Sequence, residues 1–69
     1  MQTKFDIFKQ LRDGTSIWIT AVDGLEEARN RINRLGVIGP GNYLVYSEEK
    51  GLIVERVNKE QEAYQGAGM

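Results

Sequence analysis

The sequence has no cysteine and no histidine, and a single proline among its 69 residues. Without cysteine it can form no disulfide and offers no thiolate to zinc or an iron–sulfur cluster. Without histidine it lacks the commonest transition-metal ligand and the side chain that most often activates a nucleophilic serine. Neither sign of charge dominates: 10 acidic side chains stand against 9 basic ones, for a net charge of −1. That balance gives no strong field for nucleic acid or anionic lipid. No apolar run approaches the roughly 20 residues of a membrane-spanning helix. The start, Met1-Gln2-Thr3-Lys4-Phe5-Asp6, lacks the basic segment and long apolar stretch of a secretory signal. We therefore expect a soluble, cytoplasmic domain with no membrane attachment, no cofactor and no metal. A domain near this length buries only about 60% of its unfolded surface, so its core is thin. Disulfides and metals being excluded, oligomerisation is the support left to it.

What is present is patterned. In Lys4-Phe5-Asp6-Ile7-Phe8-Lys9-Gln10-Leu11, residues Phe5, Ile7 and Leu11 fall on one side at period two and Phe8 on the other, which predicts a strand. Asp13-Gly14 suits a hairpin turn. Ser16 to Val22 predicts a second strand, β-branched and aromatic, with faces Ile17, Ile19, Ala21 and Trp18, Thr20, Val22, neither of them polar. The period then changes to 3.6: Leu25, Ala28, Ile32 and Leu35 form one stripe of an amphipathic helix. Asp23 is its expected N-cap, with Glu26 completing a capping box and Arg34 in its last turn. Gly36 is its expected stop, with Val37 packing back on Ile32. Tyr43-Leu44-Val45-Tyr46-Ser47 predicts a third strand. Glu48-Glu49-Lys50-Gly51 makes a turn, and Leu52-Ile53-Val54-Glu55-Arg56-Val57 the fourth strand.

The predicted fold is α+β, in the order ββαββ: one four-stranded antiparallel sheet with a single helix on one face. It spans 1–57, followed by a polar, flexible tail at 58–69. One helix covers one face only. The other face would carry some of Phe8, Trp18, Val22, Leu44, Tyr46 and Val54, according to register, which is a large apolar patch for so short a chain. These six residues are the candidate interface. We expect self-association, as a homodimer, through this face or a strand edge, with a second protein as a further possible partner.

Other constellations have ordinary structural explanations. Ser16 and Ser47 sit at strand ends, where hydroxyls serve turns. Glu26-Glu27 diverge around a helix and belong to its first turn, and Glu48-Glu49 lie in a hairpin turn. Neither pair has the ligand spacing of a calcium loop. The glycines of Gly36-Val37-Ile38-Gly39-Pro40-Gly41 leave a helix, whereas a phosphate cradle enters one. The alternative function is single-stranded nucleic-acid binding. Phe8, Trp18, Tyr43 and Tyr46 lie on strands, with Lys4, Lys9, Arg12 and Arg56 to flank them. The acidic balance and the lack of a glycine-aromatic ribonucleoprotein motif oppose it.

The run from Phe5 through Val22-Asp23-Gly24-Leu25-Glu26-Glu27-Ala28 to Pro40-Gly41-Asn42-Tyr43 resembles short bacterial ββαββ proteins to which no function is assigned. They share the tryptophan-bearing strand, the Leu-Glu-Glu-Ala helix start and the Pro-Gly-x-Tyr entry to the second hairpin. The resemblance covers about the first 57 residues and rests on turns, caps and core positions. It implies a small α+β domain and no activity, and it transfers no functional residue.

Overall fold

The computed structural model describes residues 3–59. Along them run β1 (Lys4–Gln10), β2 (Ser16–Asp23), α1 (Leu25–Ile38), β3 (Asn42–Ser47) and β4 (Leu52–Asn58). This is the ββαββ order and α+β class that the patterning predicts. The strands form one sheet in the order β2-β1-β3-β4, every neighbouring pair antiparallel. Because β1 is antiparallel to both β2 and β3, those two strands run parallel with β1 between them. Parallel strands cannot be joined by a tight turn, and α1 is the crossover that joins them. The two central strands carry apolar side chains at both odd and even positions, Phe5, Ile7 and Phe8 in β1 and Tyr43, Val45, Leu44 and Tyr46 in β3, as the edge strands also do.

The core lies between the sheet and α1. Phe5 and Ile7, Val22, Ala28 and Ile32, and Tyr43 and Val45 are buried together, with Ile19, Leu25, Leu35 and Val57 packed against them. The Leu25, Ala28, Ile32, Leu35 stripe is thus the helix's inner face. Full burial of a side chain such as Ile7 or Ile32 contributes about 1.5–3 kcal/mol. Outside the core, the Arg29 guanidinium pairs with the Glu55 carboxylate at 3.1 Å, tying α1 to β4.

Both ends of the helix differ from expectation. Its N-cap is Gly24, at φ 89°, and no side chain caps it. Asp23 stays in β2, where its carboxylate accepts from the Lys4 ammonium at 3.1 Å and is turned away from the helix. A glycine can take the positive φ that swings the chain from strand to helix within one residue. Gly36 is not the stop. The helix continues to Ile38, and the Gly39 N–H donates to the Leu35 carbonyl at 2.7 Å. The glycine at 36 answers a close approach: a Cβ there would lie 2.6 Å from Lys59 Cγ. Val37 does not pack back on Ile32; it and Ile38 are 80% and 85% exposed.

Asn58, expected in the tail, instead closes β4 and pairs with Asn42. The Lys59 N–H donates to the Gly41 carbonyl at 2.8 Å. The rest of that segment, 60–69, lies outside the described residues.

Candidate interaction face

The site is the sheet face opposite α1, and two irregularities decide its composition. Between Ile7 and Phe8 the β1–β2 register shifts: Ile7 pairs with Thr20 and Phe8 with Trp18, leaving Ile19 without a partner. Between Val45 and Tyr46 the β3–β4 register shifts in the same way: Val45 pairs with Glu55 and Tyr46 with Ile53, leaving Val54 unpaired. Each edge strand therefore carries one extra residue, a β-bulge, and a bulge rephases every side chain beyond it.

Strict alternation puts Trp18, Thr20 and Val22 on one face. The bulge at Ile19 separates them. Val22 lies in the core at 6% exposure, under the helix, and so leaves the candidate interface; Trp18 turns to the open face and is 56% exposed. Its indole N–H donates to Asp6 Oδ1 at 3.2 Å across the strands. In β4 the bulge gives the place opposite Tyr46 to Ile53 rather than Val54. Val54 is the unpaired bulge residue, 36% exposed.

The register lays the open face out in rows across β2, β1, β3 and β4. Trp18, Phe8, Leu44 and Arg56 form one row, and Ala21, Asp6, Tyr46 and Ile53 the next. Phe8 and Tyr46 meet edge to face, with ring centroids 6.4 Å apart. Leu44, in the middle, is 4% exposed, although it belongs to no part of the core under α1. Polar rows border this belt. Ser16, Gln10, Asn42 and Asn58 lie at one end, and Asp23, Lys4 and Glu48 at the other. A hydrogen bond with Asp6 holds the Glu48 carboxyl above the ordinary range, with burial and the Asp6 charge acting in the same direction.

Of the expected interface residues, then, Phe8, Trp18, Leu44 and Tyr46 share the open face. Sequence reasoning missed Ile53, Asp6 and Glu48, and named Arg56 only as a cation flanking the aromatics. The even spacing of Asp6 and Phe8 in β1 was the one signal that could have placed Asp6 there.

The cations expected to flank the aromatics are dispersed. Lys9 lies on the other face, its ammonium 5.8 Å from the centroid of the Tyr43 ring. Lys4 is paired with Asp23. Among the described residues, Arg56 is the cation that stands within the belt. At the Gln10–Asn42 end a shallow cleft of about 260 Å³ is lined by Gln10, Asn42, Leu44, Arg56 and Asn58, among others.

Two further polar groups serve the backbone. The Ser47 hydroxyl accepts from the Lys50 N–H at 3.0 Å in the β3–β4 turn, and Asp13 Oδ1 accepts from the Thr15 N–H at 2.9 Å in the β1–β2 loop. Among the described residues no three acidic side chains gather as a metal site would require, and no helix is long and apolar enough to cross a membrane. No family model matches the chain, and no curated protein or solved structure matches it.

Proposed function

We propose that this protein is a non-enzymatic interaction module that self-associates through the open face of its sheet. One observation carries the reading: among the described residues α1 covers one face, while Phe8, Trp18, Leu44, Tyr46 and Ile53 form an apolar belt on the other. Its plan, apolar in the middle and polar at both ends, is that of a protein interface with a rim. Sedimentation of the full chain over a wide concentration range tests it. Reversible association is expected, weakened by Trp18→Ala; a monomer at every concentration contradicts it.

Single-stranded nucleic-acid binding is the second reading, because Phe8, Trp18 and Tyr46 share one face with Arg56. The same face carries Asp6 and Glu48, whose carboxylates repel phosphate, and Asp6 holds the indole N–H of Trp18. Titration with short oligonucleotides at low salt decides between the two. Quenching of Trp18 that disappears as salt rises supports nucleic acid, and no quenching supports the protein interface.

A further inference from the structure

The open face is self-complementary under one symmetry operation, and this gives the proposed association a geometry. We infer that two copies pack face to face about a two-fold axis that lies between β1 and β3 and runs along the strands. The inference rests on the open face being the association surface. Such an axis exchanges β1 with β3 and β2 with β4 while keeping each row opposite itself, consistent with the aligned packing of two sheets.

Row by row, the partners suit one another. Trp18 meets the partner's Arg56, a cation over an indole. Phe8 lies over the partner's Leu44, which is already 4% exposed within its own copy and so adds little surface. Ala21 meets the partner's Ile53, and Asp6 meets the partner's Tyr46, whose hydroxyl can donate to it. Lys4 meets the partner's Glu48, opposite charges at the edge of the patch. Gln10 meets the partner's Asn42, amide against amide. Each of these contacts occurs twice.

The other in-plane axis, running across the strands, would instead set Asp6 against the partner's Phe8. That would set two carboxylates, each accepting from its own Trp18 N–H, against apolar rings with no donor from the partner, a costly arrangement. The charge pattern therefore favours the axis along the strands.

Size sets the strength. Four strands about 4.8 Å apart and seven residues long give a footprint of roughly 450 Å². Stable interfaces bury about 800 Å² on each partner. The dimer is accordingly weak and concentration-dependent, and it forms and dissociates within the working range of sedimentation.

Charge reversal with mixing tests the geometry. Lys4→Glu alone sets carboxylate against carboxylate at this edge of the dimer, and Glu48→Lys alone sets ammonium against ammonium. Each variant is expected to self-associate about tenfold more weakly than the wild-type chain. A 1:1 mixture of the two variants restores both cross-copy pairs, one with its signs exchanged and one as in the wild type, and so associates as the wild type does. Lys4 and Glu48 are also neighbours within one copy, and mixing separates the two effects, because it leaves each variant's internal contacts unchanged.

Circular dichroism establishes that each variant is folded. The exposed Arg56→Ala supplies an independent arm: it is expected to reduce the change in Trp18 emission that accompanies association. A wild-type dimer whose variants gain nothing on mixing, and whose Trp18 signal ignores Arg56→Ala, overturns the geometry and leaves the open-face reading standing. A wild-type chain that never associates overturns the reading itself.

Discussion

The Tyr43 hydroxyl donates to the Gly39 carbonyl and lies 3.3 Å from that of Leu35, so a strand side chain closes the end of the helix. The last carbonyls of a helix have no partner within it. Here the phenol's one proton goes to the carbonyl of Gly39, the C-cap residue, while the Leu35 carbonyl already accepts from the Gly39 N–H. Tyr43→Phe keeps the buried ring and removes the bond. It should cost about 1 kcal/mol and lower Tm by roughly 4–8 °C for a domain of this size, measured by thermal unfolding.

Burial also pushes the Tyr43 phenol above its ordinary value of 10.0. The folded chain keeps a proton that the unfolded chain gives up, so stability falls as pH rises through that value. Alkaline unfolding curves of Tyr43→Phe should lose this part of the slope.

Ile32 and Ile38 stand on the same helix with opposite fates, fully buried and 85% exposed. Ile32→Ala should cost about 2–5 kcal/mol. That is a large share of what a chain of this length can have, at roughly 0.05–0.15 kcal/mol per residue. Ile38→Ser should stay within about 0.5 kcal/mol of the parent. Chemical denaturation of the two variants measures both.

Gly36→Ala sets helix propensity against packing. Alanine is favoured over glycine by about 1 kcal/mol in a helix interior. The added methyl, however, would lie 2.6 and 2.8 Å from Lys59 Cγ and Cβ, which are close to the backbone and cannot simply swing away. Net destabilisation is expected. A Gly36→Ala chain more stable than the parent would show that Lys59 yields easily.

Two exposed carboxylates should bend the pH profile in opposite directions. Glu48, held above its ordinary value chiefly by its hydrogen bond with Asp6, keeps its proton longer in the folded chain. Its contribution is lost as pH rises from 4.5 through the raised value. Asp13, held below 3.8 mainly by the Thr15 N–H, contributes above that value and loses its contribution as pH falls through the lowered one. Thermal melts of dilute protein should show a small rise in neutral-pH Tm for Glu48→Gln. Asp13→Ala should show a flatter acid limb.

The fold was largely legible in the pattern of apolar residues, and the face was legible in part. The stripe from Leu25 to Leu35 states the helix and its inner side, because only burial demands that spacing. The two bulges were not legible. Period-two counting along Ser16 to Val22 has no means of detecting that Ile19 lacks a partner in β1, since pairing across strands decides it. Every assignment beyond the bulge inverts, which is why Val22 proves to be core while Trp18 does not. The helix ends eluded a local reading for a similar reason. Asp23 is engaged by Lys4, 19 residues away, and Gly36 answers to Lys59, 23 residues away.

The central claim is that the belt of Phe8, Trp18, Leu44, Tyr46 and Ile53 is where one copy meets another. Sedimentation velocity on the full chain, from low micromolar to near-millimolar concentration, tests it most directly when Trp18→Ala is run alongside. The account predicts a reversible monomer–dimer shift in the parent and a clear weakening in the variant. A parent that remains monomeric throughout, or that associates equally well without Trp18, would contradict it.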